Sequence, residues 1–159
     1  MIISPKKALD KGWLRGVSGY PMDEKEQLQQ NGIDLRVGKL QQVGVNQGLA
    51  DKPLYNPKNP HDGFYFVRRQ TAIAVDSLEH VTVPKNVVAL VIHRSSFNRR
   101  GIFITGSVYD SGFRGVVGAT MYSFVDMPIR KGTRFAQIIF MEADSYMSYK
   151  GQYQDQEGN

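Results

Sequence analysis

The chain has 159 residues, 41% of them hydrophobic, which fits one compact domain with its own core. Its net charge of +5 favours an anionic partner, without separating a nucleotide from a nucleic acid or a membrane surface. The absence of cysteine excludes disulfides, thiol nucleophiles and Cys-ligated zinc. No apolar run approaches the roughly 18 residues of a membrane span, and the start MIISPKKALDKG does not read as a signal peptide, so we expect a cytoplasmic protein.

The elements predicted along the chain begin with one short helix. Ser4 fits its N-cap, Pro5 its first position and Gly12 its end. The segment from Leu14 to about Asp62 is rich in turn residues and is expected to be mostly loop, with either a helical turn or a solvated loop in MDEKEQLQQ. Six β-rich runs follow, without helical patterns between them, and they predict an all-β sandwich or barrel. The polar tail YMSYKGQYQDQEGN is expected to be mobile until something binds it.

The stretch from His93 to Gly115 is dense in arginine, serine and glycine. Ser95 and Ser96 fit the start of a one- or two-turn helix with a serine cap, whose free N–H groups would suit a phosphate. Arg94 and Arg99 would add charged, bidentate contacts to the same anion. A basic, solvated turn is the alternative interpretation of these residues.

Five segments resemble, in the same order, the motifs of the dUTPase and dCTP deaminase superfamily. They are GIDLRVG (Gly32 to Gly38), RSS (Arg94 to Ser96), DSGFRG (Asp110 to Gly115), RFAQIIF (Arg134 to Phe140) and YKGQYQDQ (Tyr149 to Gln156). The resemblance implies a distorted β-barrel or jelly-roll domain over residues 1–148, a homotrimer with active sites between subunits, and a Mg²⁺-bound deoxynucleoside triphosphate as substrate. Within the deaminase-like branch the chain is most similar to archaeal or viral dUTPases. The expected location is the cytoplasm, which for a viral protein is that of the host cell.

The two chemistries of this superfamily need different side chains. Members that deaminate dCTP carry a proton-shuttling glutamate ten residues after the motif aspartate, and Thr120 stands at that position here. A threonine hydroxyl titrates far outside the range in which a general acid or base works. Asp110 matches the aspartate that activates water in dUTPases, so we predict a dUTP diphosphatase that releases dUMP and pyrophosphate. A dCTP deaminase, a dual dCTP/dUTP enzyme and a non-catalytic, dUTPase-like interaction protein are the alternatives.

The resemblance also implies roles for other residues. Gln137 would reach the triphosphate or its metal shell, with a half-buried strand residue as the alternative. Phe113 would pack on the deoxyribose, and Asp34 and Arg36 would form an ion pair that braces the site. The tail over residues 149–159 resembles the deaminase lid that covers the triphosphate. The predicted substrate-binding residues are Arg94, Ser95, Ser96, Arg99, Phe113, Gln137, Tyr149, Tyr153 and Gln156.

Magnesium is the one cofactor that the resemblance implies, and it would be held mainly by the triphosphate and water, without a direct protein ligand. His61, His80 and His93 show no metal-binding spacing and are interpreted as structural or exposed. Trp13 is expected in the core beside the first helix. Lysine and arginine are scattered over the chain, so we expect neither a specific nucleic-acid partner nor a membrane partner.

Overall fold

A computed structural model describes residues 1–44, 48–53 and 64–156 of the chain. These ranges contain three short helices and eleven strands. In chain order they are α1 (Pro5–Asp10), β1 (Leu14–Gly16), α2 (Glu24–Gln27), β2 (Ile33–Gly44), β3 (Gly48–Pro53), β4 (Phe64–Val67), β5 (Thr71–Thr82), β6 (Val87–His93), α3 (Ser95–Asn98), β7 (Ile102–Thr105), β8 (Val108–Tyr109), β9 (Arg114–Ser123), β10 (Met127–Arg130) and β11 (Arg134–Glu142). No helix in the described ranges is long and apolar enough to cross a membrane.

Nine of the described strands form one antiparallel sheet. Its order is β7-β9-β5-β2-β11-β6-β8, with β1 also beside β5 and β3 also beside β2, while β4 and β10 pair separately. Side chains alternate along β6, where Val87, Ala89 and Val91 are buried in the core. The all-β fold with a short N-terminal helix, predicted from the sequence, is confirmed.

Helix α1 has the ends that the sequence predicts. Pro5 occupies its first turn, where the missing N–H costs no hydrogen bond, and Ala8 faces the core. Gly12 follows the helix at a φ of 69°, a conformation that glycine adopts without steric cost. The indole of Trp13 packs against Phe140 of β11, with ring centroids 5.6 Å apart, and so covers one side of the core next to the helix.

The segment from Leu14 to Asp62 is more ordered than we expected from its turn residues. It contains β1, α2, β2 and β3, and β2 lies between β5 and β11 in the sheet. Gly38, one of the glycines that favoured a loop, lies within β2, where a Cβ would come 2.9 Å from the Asp76 carbonyl oxygen. This glycine therefore allows a close strand approach and does not end the strand. Residues 54–63, within the predicted loop, lie outside the described residues.

A buried carboxylate joins β5 to β2 and α2. Glu79 accepts hydrogen bonds from Arg36 Nε at 2.7 Å, from the Arg36 main-chain N–H at 2.8 Å and from Gln27 Nε2 at 3.0 Å. Burial raises the pKa of Glu79, and the Arg36 and Gln27 contacts act in the opposite direction. The predicted Asp34–Arg36 ion pair is wrong. Asp34 pairs instead with Arg94, whose Nε lies 3.0 Å from its carboxylate, and Glu79 of β5 lies 2.7 Å from Arg36 Nε.

Candidate active site

The RSS segment and Gln137 line one cavity, which we call the α3 cavity. It has a volume of about 370 Å³. Helix α3 starts directly after β6 and leaves Ser95 and Ser96 exposed, while Arg94 is its N-cap in place of the predicted serine. Arg99 caps the other end of α3, and the residues that line the cavity do not include it. The lining consists of Gln29, Asp34, His93, Arg94, Ser95, Ser96 and Gln137.

A buried aspartate, Asp34, orients two side chains of the α3 cavity. Its carboxylate lies 3.0 Å from Arg94 Nε and accepts a hydrogen bond of 3.2 Å from Gln137 Nε2. Arg134 adds a longer contact of 3.4 Å. Burial raises the pKa of Asp34, and Arg94, Gln137 and Arg134 oppose that shift. Gln137 also packs over Gly32, where a Cβ would lie only 2.6 Å from Gln137 Cγ, so the GID motif leaves room for this glutamine.

Asp110 lines a second cavity of about 410 Å³, which we call the Asp110 cavity. The Asp110 side chain is exposed, and its carbonyl oxygen accepts a hydrogen bond from Phe113 N at 3.0 Å. Gly112, with a φ of 85°, supplies the positive dihedral of this turn. Ser111 is buried, and its hydroxyl donates to the Val87 carbonyl at 2.6 Å, which ties the turn to β6. The carboxylate is thus presented to solvent from a turn with a fixed main chain.

The two cavities lie at opposite ends of β6. Tyr109 pairs with Ala89, so Asp110 follows the strand beside the start of β6. Ser95 comes just after the other end, beyond His93. Six strand residues separate these levels, which is about 20 Å at 3.3 Å per residue. A single subunit therefore does not bring Asp110 and the RSS segment together.

The tail, expected to be mobile, is docked on its own chain over its described residues. Tyr149 donates its main-chain N–H to the Ser111 carbonyl at 2.7 Å, and its ring lies 5.2 Å from that of Phe113. Phe113 is buried between Tyr149 and Tyr109, so the predicted sugar-contacting face is covered in this arrangement. The Tyr153 and Gln156 side chains are exposed. Residues 157–159 lie outside the described residues.

Thr120 lies on β9, opposite Ala74 of β5 and Thr105 of β7. Directly paired residues share a face of an antiparallel sheet, and residues two apart on one strand do too. Asp76, the partner of Gly118, is therefore on the same face as Thr120. Burial raises the pKa of Asp76, and Lys39 on β2 opposes the shift. Sequence reasoning missed Asp76, although an acidic residue inside the apolar run AIAVDSL was the available signal.

The described residues contain no group of three or more histidine, cysteine or acidic side chains placed to hold a metal ion. Among the candidate site residues, Arg94 in the α3 cavity offers a positive charge to an anion, and Asp110 offers an exposed carboxylate. Oxygen ligands of this kind suit a hard cation that keeps most of its waters and binds substrate phosphates.

Comparison with known proteins identifies the family. Residues 6–143 match the dCTP deaminase-like family. A curated protein named dCTP deaminase from Sulfurisphaera tokodaii is 32% identical over 96% of this chain and 85% of its own length. The crystal structure of the deoxycytidine triphosphate deaminase from Agrobacterium tumefaciens superposes with a TM-score of 0.72 at 17% identity, over 89% of this chain and 48% of the other, so the chain spans about half of that protein. The EIAV dUTPase superposes with a TM-score of 0.55 at 17% identity, over 87% of this chain and 94% of the other. With the fold and the order of its motifs, these matches show that the chain belongs to the dCTP deaminase-like family.

Proposed function

We propose that the protein is a dUTP diphosphatase, which hydrolyses dUTP to dUMP and pyrophosphate. The observation that carries this proposal is the identity of the two residues that distinguish the two chemistries. Asp110 is present and exposed, while Thr120 replaces the glutamate that deamination needs. A carboxylate on a turn with a fixed main chain can orient and deprotonate a water molecule. A threonine hydroxyl cannot shuttle protons to a pyrimidine near neutral pH.

In this reaction the triphosphate would lie in the α3 cavity. Arg94, Ser95 and Ser96 supply N–H and O–H donors to the phosphates, and Asp34 fixes the direction of Arg94. Water attacks the α-phosphorus, a proton passes to Asp110, and the bond between the α-phosphorus and the bridging oxygen breaks with its electrons leaving on pyrophosphate. Mg²⁺ bound to the triphosphate would neutralise part of the charge that develops there.

A shared site between subunits follows from the separation along β6. About 20 Å is too far for Asp110 and Ser95 of one chain to act on the same phosphate group. We therefore propose a homotrimer in which Asp110 of one subunit faces the α3 cavity of its neighbour. A cyclic arrangement repeats this contact and gives three equivalent sites.

Mixing two inactive variants tests the shared site. We expect Asp110→Asn and Ser95→Ala each to have little dUTP turnover as homotrimers. Random trimers from an equal mixture, unfolded and refolded together, should regain about a quarter of the wild-type rate, because each interface then has that chance of combining two intact halves. The separately refolded variants, mixed only afterwards, are the control. Absence of any recovery would show that one chain supplies both residues.

Deamination of dCTP is the second candidate function. It is favoured by the name of the Sulfurisphaera relative and by Asp76, a carboxylate on the same sheet face as Thr120. In that case Asp76 would take over the proton transfer that the missing glutamate performs. A dual enzyme would perform both reactions at the same site.

Assaying dUTP and dCTP side by side separates these candidates. With Mg²⁺ we expect pyrophosphate release from dUTP and no ammonia release from dCTP, measured with separate detection of the two products. Sustained ammonia release would overturn the choice of dUTPase, and its loss in Asp76→Asn would then assign the proton transfer to Asp76. If neither pyrophosphate nor ammonia is released above background, the result would favour the third alternative, a non-catalytic interaction protein.

A further inference from the structure

The described tail, residues 149–156, runs along the segment that follows Asp110. The main chains of the tail and of residues 111–116 are joined by hydrogen bonds, and Gly115 and Gln156 form a parallel bridge. The close approach is visible at Gly115, where a Cβ would lie 3.3 Å from the Tyr153 carbonyl oxygen. The main-chain hydrogen bonds are Tyr149 N to Ser111 O at 2.7 Å, Asp155 N to Arg114 O at 2.8 Å and Val116 N to Gln156 O at 3.1 Å.

Gln154 uses both ends of its amide on the same turn. Its Nε2 donates to the Gly112 carbonyl at 3.0 Å, and its Oε1 accepts from Arg114 N at 3.2 Å. These two groups flank Phe113, whose own N–H closes the turn on the Asp110 carbonyl. A side chain that bonds main-chain groups on both sides of a turn restricts the dihedral angles between them.

An ion pair closes the end of this contact. Arg114 Nε lies 3.0 Å from Asp155 Oδ1, and Arg114 Nη2 lies 3.0 Å from Asp155 Oδ2. Both side chains are more than half exposed, so the pair by itself contributes little to stability. Its two-point geometry instead fixes the direction in which the tail leaves the turn.

From these contacts we infer that the tail braces the Asp110 turn of its own subunit, with Gln154 as the main positioning residue and the Arg114–Asp155 pair as its support. A brace of this kind acts on the position of the Asp110 turn, whereas a lid acts on the binding of the triphosphate. The inference rests on the proposed function of Asp110. A displacement of about 1 Å in a catalytic group can cost about 100-fold in rate, so a loose turn would lower turnover.

Amide hydrogen exchange of the protein without nucleotide tests the brace directly. We expect slow exchange at Tyr149, Asp155 and Val116 in the wild type, and at least tenfold faster exchange at all three in Gln154→Ala. Gln152→Ala is the matched control, since it removes the same side chain from an exposed position in the same tail and should leave these rates unchanged. Unprotected tail amides in the wild type would overturn the inference.

Kinetics then separates a brace from a lid. We expect Gln154→Ala to lower kcat for dUTP about tenfold with KM changed less than about twofold, because Asp110 is misplaced while the phosphate site is intact. Gln154→Glu keeps the acceptor for Arg114 N and should recover part of kcat. A raised KM with unchanged kcat would indicate a lid and overturn the brace. If the wild type releases no pyrophosphate, the proposed function fails, and the exchange rates alone decide whether the tail holds this turn.

Discussion

Replacing Asp110 with asparagine is expected to lower dUTP turnover by about 10²–10⁴-fold, the usual contribution of a positioned general base. The fold should be unchanged because the Asp110 side chain is exposed and its turn is closed through the main-chain carbonyl. Asparagine keeps the shape of the side chain but cannot accept the proton. Pyrophosphate release at saturating dUTP measures the loss, and titration with a non-hydrolysable dUTP analogue should give an affinity within about threefold of the wild type.

Asp144→Asn serves as the matched control for Asp110. It removes one exposed negative charge from the neighbourhood of the same cavity, since Ala143 and Ser145 on either side of it line the wall. Turnover within about twofold of the wild type is expected for this variant, because an exposed charge is largely screened. An Asp110→Asn protein with undiminished turnover would exclude Asp110 as the base.

Truncation of the buried carboxylate, Glu79→Ala, should destabilise the protein by about 3–5 kcal/mol, the usual cost of removing one partner of a buried ion pair. The change leaves the Arg36 guanidinium without its carboxylate and removes the acceptor of the Arg36 main-chain N–H and of Gln27. Urea denaturation measures the loss as a lower midpoint at an unchanged slope.

The exposed pair of Arg69 and Asp126 provides the comparison. Asp126→Ala breaks an ion pair of 4.0 Å and removes the acceptor of the exposed Arg69 main-chain N–H, which water can replace, so it should cost less than about 1 kcal/mol. Equal midpoints for Glu79→Ala and Asp126→Ala would mean that the buried cluster does not join β5 to β2 as strongly as its geometry indicates.

The sequence predicts a strand well where an apolar run is uninterrupted and bounded by turn residues, as in β6. It predicts strands poorly where a glycine lies inside the strand. Glycine is common both in turns and where two strands approach closely, and Gly38 is of the second kind. Residues 64–75, FYFVRRQTAIAV, have the composition of one β-rich run, but they contribute to two strands because Gln70 adopts a φ of 59° between β4 and β5. Local pattern does not distinguish these cases, because the neighbouring strand decides them.

The sequence predicts which residues belong to the site, but it does not predict all of the partners that these residues contact. Arg94, the two serines and Gln137 meet in one cavity, as their shared motifs would imply. Asp34 bonds Arg94 instead of Arg36, because the contact spans 60 residues of sequence and depends on where α3 follows β6. The docking of the tail could not be predicted from the sequence for a related reason. Polar side chains such as Gln154 bond to main-chain groups, which every residue type carries and which therefore leave no pattern in the sequence.

The position of the single tryptophan has an optical consequence. Trp13 packs on Phe140 at one side of the core, whereas the tail contacts the turn after Asp110. Indole emission responds to the polarity around the ring, so it should shift when the core opens and the contact with Phe140 is lost. Because the chain has one tryptophan, fluorescence excited at tryptophan alone reports the opening of the core from this single position.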